Sequence, residues 1–250
     1  MEGTAKTVWG YRLEAFRDYG VTMPVITGID THPHALITGS SGSGKSQTVL
    51  FLMDKLLQAD PGISLHFCDF KSSEDFAFLK GYPGYYTGKD CLNGIRDYYD
   101  QFTRVRENGR PGRRHILIFD EYPACVNYLQ MKDKPDKTKN VNDVLNSVAE
   151  ILMLGRGIRF GIWIVTQRAD SSLFANGARD NFMTVIGLGR LSKEQKGMVF
   201  PGQEIPDEVM GAGEGMLLAD GRDIVSVKYP LIKNAADWKR HIRKILQDNL

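Results

Sequence analysis

Ala35-Leu-Ile-Thr-Gly39-Ser-Ser-Gly-Ser-Gly44-Lys45-Ser46 is the stretch on which the fold turns. Ala35 to Thr38 has strand character and runs into a glycine-rich loop fitting G-x-x-x-x-G-K-[ST] at every position from Gly39 to Ser46. Beyond the loop, Val49, Leu52, Met53, Leu56 and Leu57 recur at helical spacing between Lys45 and Gln58. Strand, glycine loop and amphipathic helix in that order make a phosphate cradle. The glycines let backbone N–H groups curl around an anion without side-chain clash, and the helix adds its positive end. Gly39, Ser40, Ser41, Gly42, Ser43, Gly44, Lys45, Ser46 and Gln47 are therefore the expected nucleotide-binding residues. Lys45 is expected to reach the β- and γ-phosphates, and the Ser46 hydroxyl to ligate Mg²⁺. The bland alternative, a flexible Gly/Ser turn, leaves the flanking strand and helix unexplained.

A second apolar run of strand length, His115-Ile-Leu-Ile-Phe119, ends in Asp120-Glu121. Such a strand delivers one carboxylate to the metal and a second to the attacking water. Asp120 is expected to hold Mg²⁺, and Glu121 to orient and deprotonate water. A kinase acting on a small molecule has no need of the second acid in that role, so the pair favours nucleotide hydrolysis. A third run, Ile162-Trp-Ile-Val165, ends in Thr166-Gln167, 46 residues past Glu121. The Gln167 amide is expected to touch both γ-phosphate and water, although a polar residue at a strand end is commonplace. Arg156 and Arg159, in Gly155-Arg-Gly-Ile-Arg159, are candidates for an arginine finger offered to a neighbouring subunit's nucleotide, with Arg190 as a rival. For each of the three the plain alternative is a surface arginine far from any phosphate.

Working outward, further strands are expected at Ile63–Phe67, ending in Asp69-Phe70-Lys71, and at Thr184–Leu188, Gly215–Leu218 and Ile224–Val227. Helices are expected at Asp90–Arg106, Val141–Leu154 and Ala235–Leu246. Residues 1–23 read as a polar lead-in with one short helix near Tyr11–Tyr19, and 24–250 as the folded domain. The strands alternate with helices and are apolar throughout, which predicts an α/β fold with a mostly parallel sheet covered on both faces. In such sheets ligands bind beyond the carboxyl ends of the strands, where the three polar clusters all fall.

Composition bounds the rest. The 250 residues are 42% hydrophobic and 25% charged, which excludes disorder, collagen-like repeats and coiled coil for the chain as a whole. There is no run of about 18 apolar residues and no signal-peptide core at the N-terminus. Cys68, Cys91 and Cys125 are odd in number and widely spaced, which speaks for a reducing, cytoplasmic setting and against a disulfide frame. A net charge of +2 announces no nucleic-acid partner, yet the basic residues are bunched. Arg104, Arg106, Arg110, Arg113 and Arg114 form one cluster, Lys132, Lys134, Lys137 and Lys139 a second, and Lys239, Arg240, Arg243 and Lys244 a third. Each can equally be a solvated face. His32 and His34 lack a third metal ligand and read as structural. Tyr82, Tyr85 and Tyr86 read as packing residues ahead of a DNA-facing cluster.

Taken together, these motifs resemble the FtsK/SpoIIIE–HerA branch of phosphate-loop motors, nearest in flavour to the coupling ATPases of conjugation and mobile elements. His34 followed by the first strand and loop, Asp69-Phe70-Lys71 after the second strand, Leu154-Gly155-Arg156, Gly161-Ile-Trp-Ile-Val-Thr-Gln167-Arg168 and Gly211-Ala-Gly-Glu-Gly-Met-Leu217 carry the likeness. Phe70 and Val165 depart from the family's usual proline and small residue. The resemblance covers about residues 24–230 and implies a RecA-like P-loop NTPase motor domain that binds ATP and Mg²⁺. It further implies a homo-oligomeric ring, usually a hexamer, that threads double-stranded DNA, with a membrane-associated or relaxase-type protein as a further candidate partner. A protein-secretion ATPase of type VII-like character and a nucleotide-gated assembly module with little turnover are the alternatives. The chain has no room for a separate DNA-reading module, and reads as a minimal motor or one part of a longer protein.

Overall fold

The computed structural model describes residues 5–109, 112–206 and 208–249. In chain order the elements are β1 (Lys6–Arg12), α1 (Leu13–Tyr19), β2 (Pro24–Gly28), β3 (Ala35–Gly39), α2 (Lys45–Ala59), β4 (Ser64–Asp69), β5 (Tyr85–Thr87) and α3 (Cys91–Asn108). They continue with β6 (His115–Asp120), α4 (Tyr122–Asp136), α5 (Asn140–Leu154), β7 (Phe160–Thr166), β8 (Thr184–Leu188), α6 (Lys193–Val199), β9 (Glu214–Ala219), β10 (Val225–Lys228) and α7 (Ala235–Asp248).

One ten-stranded sheet runs β2-β1-β10-β9-β8-β3-β7-β6-β4-β5. The stretch from β8 to β5 is parallel throughout, and β9, β10, β1 and β2 extend it as antiparallel strands. Every residue of β3, β4, β7 and β8 is buried, as expected of strands sandwiched between helices. On one face α2 and α7 close over Phe51, Trp163 and Ile186; on the other α3, α4 and α5 close over Tyr98, Phe119 and Phe160. The three cysteines are buried and free.

Register does the positioning. Asp69 pairs with Asp120, Asp120 with Val165, Thr38 with Thr166 and Gly39 with Leu188. Neighbouring strands lie about 4.8 Å apart, so the glycine loop, both acidic strand ends and Thr166-Gln167 come out along one edge. β7 lies between the loop strand β3 and the acid strand β6, which sets Gln167 between them.

The N-terminal lead-in turned out otherwise. Residues 6–12 form β1 inside the sheet, and the helix begins at Leu13 rather than Tyr11. Thr7 and Trp9 alternate inward at a period of two; Trp9 is fully buried, 5.0 Å from the Trp163 ring, and its indole N–H donates to Thr27 Oγ1 at 2.7 Å. β2, β5, α4 and α6 were not expected either. α4 spreads its polar residues around the helix and carries Pro123 in its first turn and Pro135 near its end, so it shows no clean helical stripe.

Candidate nucleotide site

The loop from Gly39 to Ser46 is shaped by close approaches. A Cβ at Gly39 would lie 2.6 Å from Ser43 Oγ and 2.8 Å from the Leu188 carbonyl oxygen, which no larger residue survives. Gly44 has φ +96°, a left-handed backbone suited to glycine, and turns the chain into α2. Behind the loop, the Gly213 N–H donates to the Ser43 carbonyl at 3.0 Å, so the Gly211–Gly215 segment braces the cradle. Lys45 Nζ donates to the carbonyls of Gly39 (2.6 Å) and Ser40 (2.9 Å), folding its charge over the loop. Burial lowers its pKa below the usual lysine range, while Glu121 and Asp120 pull the other way. Gln47 Oε1 accepts from the Ile232 N–H at 3.3 Å and so ties α2 to the segment before α7.

Asp120 and Glu121 leave β6 beside this loop. Burial, then the charges of Glu121 and Asp69, push the Asp120 carboxyl up to about 7, against the lowering effect of Lys71 and Lys45. A carboxylate so placed is stabilised by an incoming cation. Glu121 adopts φ 57° and ψ 42°, a left-handed conformation uncommon outside glycine, at the N-cap of α4. Its carboxylate Oε1 accepts from Lys71 Nζ at 2.7 Å and from Gln167 Nε2 at 3.2 Å. Gln167 is aimed by a tight turn, in which Thr166 Oγ1 accepts from the Arg168 N–H at 3.1 Å.

A cleft of about 390 Å³ joins these parts. Ser41, Gly42, Gly44, Lys45, Ser46, Gln47, Asp120, Glu121 and Gln167 line it, together with Leu50, Lys71, Ser73, Asp75, Ala235 and Lys239. Most of the expected residues thus converge. Lys71 sits in a motif already quoted from the sequence but given no role there, and Lys239 read only as part of a terminal basic run. Their positions depend on tertiary contacts that local pattern does not carry.

Arg156 stands elsewhere. It is exposed in the turn before β7, whereas the cleft lies past that strand's other end. Seven strand residues span about 20 Å, so Arg156 is remote from its own cleft. Arg159 has φ 63°, and its side chain turns to the Gly112 carbonyl at 3.4 Å and towards Asp30. Arg190 is exposed at the carboxyl end of β8, on the cleft edge of the sheet.

The remaining candidates fall into structural roles. His34 is buried, its Nδ1 accepts from the Ile162 N–H at 3.2 Å, and burial with the nearby Arg156 charge pushes its pKa down to about 3. His32 contacts Thr31 Oγ1 at 2.9 Å. The hydroxyls of Tyr82, Tyr85 and Tyr86 donate to the Leu65 carbonyl, Asp69 and Asp97 respectively, as packing residues do. Two of the basic clusters are largely spoken for. Arg106 pairs with Glu150, Arg114 bridges Asp30 and Asp60, and Arg243 donates to the Phe78 and Lys80 carbonyls; Arg110 lies outside the described residues. Lys132, Lys134, Lys137 and Lys139 are exposed, and none is in an ion pair among the described residues.

A glycine loop between a buried parallel strand and a helix, with an acidic strand one place removed in the same sheet, defines a P-loop ATPase fold. The particular kind follows from comparison. No family model matches the chain. Over 188 residues it is 27% identical to the FtsK domain-containing protein YdcQ of Bacillus subtilis (strain 168), a match covering 68% of this chain and 37% of YdcQ. This chain therefore matches well under half of that relative's length. Its fold is shared with the pCW3 conjugation coupling protein TcpA, solved as a monomer form with ATPγS, at a TM-score of 0.75 and 18% identity over 100% of this chain and 72% of TcpA. The cytoplasmic domain of the Thermomonospora curvata type VII secretion ATPase EccC gives a TM-score of 0.66 at 18% identity, over 97% of this chain and 31% of that one. These likenesses bear out the resemblance to FtsK/SpoIIIE–HerA proteins, and the chain shares the fold of these ATPases. No helix among the described residues is long and apolar enough to cross a membrane.

Proposed function

We propose that this chain is an ATP-hydrolysing DNA translocase motor of FtsK/HerA type, active as a ring of identical subunits and serving a conjugative or other mobile element. The observation that carries hydrolysis, rather than nucleotide binding alone, is the convergence of Glu121 and Gln167 on the phosphate loop within one cleft. Gly39–Ser46 cradles the phosphates, with Lys45 on the β/γ oxygens. Mg²⁺ fits the donors present, a serine hydroxyl and a carboxylate poised for a cation, and Ser46 and Asp120 would hold it. No group of three His, Cys, Asp or Glu side chains suited to a metal occurs among the described residues, as suits an ion that takes its other ligands from phosphate and water. When bound, the ion neutralises charge on the transferring phosphoryl group. Glu121 takes the proton of the attacking water, Gln167 holds that water against the γ-phosphate, and an arginine from the neighbouring subunit meets the developing charge.

DNA is favoured as the cargo by the likeness to a conjugation coupling protein and by the exposed lysines in the last turns of α4 and in the link from α4 to α5. The likeness to a secretion ATPase supports a second reading, in which the same motor moves protein. Duplex DNA separates the two. It should raise the hydrolysis rate of the DNA motor several-fold, with a steep loss as salt rises, because each phosphate contact contributes about −0.9 to the log–log salt slope. Changing Lys132, Lys134, Lys137 and Lys139 to Ala should remove most of that stimulation and leave the DNA-free rate as it was. A rate indifferent to DNA but raised by a secreted protein would favour the second reading.

A further inference from the structure

The segment after β4 is pinned to the strand that carries the acids. Asp69 is fully buried, and its Oδ2 accepts from the Ser73 N–H at 2.7 Å and the Tyr85 hydroxyl at 3.1 Å. The Ser72 N–H returns to the Asp69 carbonyl at 3.2 Å, and the Phe70 N–H reaches the Asp120 carbonyl at 3.4 Å. Between these anchors the Lys71 backbone has little freedom. Its side chain is half-exposed, and from there its ammonium bonds the Glu121 carboxylate at 2.7 Å.

This arrangement opposes the chemistry assigned to Glu121. A carboxylate already accepting an ammonium proton and an amide proton on one oxygen is a weaker acceptor for a proton from water. Lys71 also shares the cleft with the phosphate loop, close enough for its charge to act on both Lys45 and Asp120. A bound triphosphate would place a terminal group of higher negative charge than a carboxylate beside Glu121. The β-phosphate, within the loop, would fall to Lys45, which also reaches the γ oxygens.

We propose that Lys71 is a γ-phosphate sensor: without nucleotide it holds the Glu121 carboxylate, and on triphosphate binding its ammonium transfers to the γ-phosphate and frees Glu121 to act as base. The inference rests on the nucleotide reading of the cleft given above. Gln167 stays on Glu121 when Lys71 leaves, which keeps the carboxylate oriented. A diphosphate lacks the group that draws Lys71 away, so the base is held whenever only ADP is bound.

The test is equilibrium titration of the full chain with Mg²⁺·ATPγS and with Mg²⁺·ADP. Lys71→Met should weaken ATPγS binding about ten-fold, the scale of a lost charge-assisted hydrogen bond, and leave ADP binding within about two-fold. Glu121→Gln removes the negative charge that competes for Lys71, so it should tighten ATPγS binding several-fold, and Lys71→Met in the same chain should cancel that gain. Thermal unfolding of each variant checks that it is folded. Equal losses for the two nucleotides, no loss at all, or a Glu121→Gln gain that persists without Lys71 would overturn the sensor while leaving the nucleotide site in place. Failure of the unaltered protein to bind either nucleotide would overturn both.

Discussion

Hydrolysis per subunit should climb by roughly 10³–10⁵ as the protein passes from dilute monomer to assembled ring, the span of an arginine finger supplied in trans. That span is about 4–7 kcal/mol of transition-state stabilisation. The expectation follows from the cleft itself, whose lining among the described residues holds Lys45, Lys71 and Lys239 but no arginine. A delocalised, forked guanidinium suits phosphoryl charge better than a further ammonium, and in the proposed ring it would come from the neighbouring chain. Arg156 is exposed at the amino end of β7 and too far from its own cleft to serve it, which leaves it available to a neighbour. Arg156→Ala should flatten the concentration dependence and leave ATP affinity unchanged; Arg190→Ala is the next variant to make. A rate per subunit that is constant from nanomolar to micromolar protein would remove the trans finger from the account.

Glu121→Gln should bind ATP at least as tightly as the unaltered chain yet turn over at least ~10²-fold more slowly. In free energy that is at least about 2.7 kcal/mol on the barrier. Gln has the same shape and its amide oxygen can still accept, more weakly, from Lys71 and Gln167, so the cleft should keep its form while losing the negative charge that takes the water's proton and competes for Lys71. Single-turnover measurement with bound ATP isolates the chemical step. Turnover that survives the change would place the base elsewhere and make the acid at this strand end structural.

How much of this could be read in the sequence depended on whether the signal was local. The phosphate loop and the strand ending in Asp120-Glu121 were legible because their chemistry dictates residue type at fixed spacing. The parallel sheet was legible because β3, β6, β7 and β8 are continuous apolar runs with nothing polar to alternate. β1 escaped because Lys6 and Arg12 flank it and glycine interrupts it, and only the inward pair Thr7 and Trp9 betrays the strand. Lys71 and Lys239 reach the cleft from positions 168 residues apart, a convergence that no window of sequence contains. The basic runs misled in the same way. Arg114 looked like a free surface charge, but Asp30 and Asp60, far from it in sequence, bind it from two sides.

Nucleotide binding and hydrolysis both depend on Gly39–Ser46 being a phosphate cradle closed by the Lys45 ammonium. The most direct measurement is calorimetric titration of Mg²⁺·ATPγS into the unaltered chain and into Lys45→Ala under identical conditions. Saturable binding at one site per chain is expected in the first and none detectable in the second, because Lys45 is the cation that folds over the loop. Undiminished affinity in Lys45→Ala, with the protein folded, would contradict it.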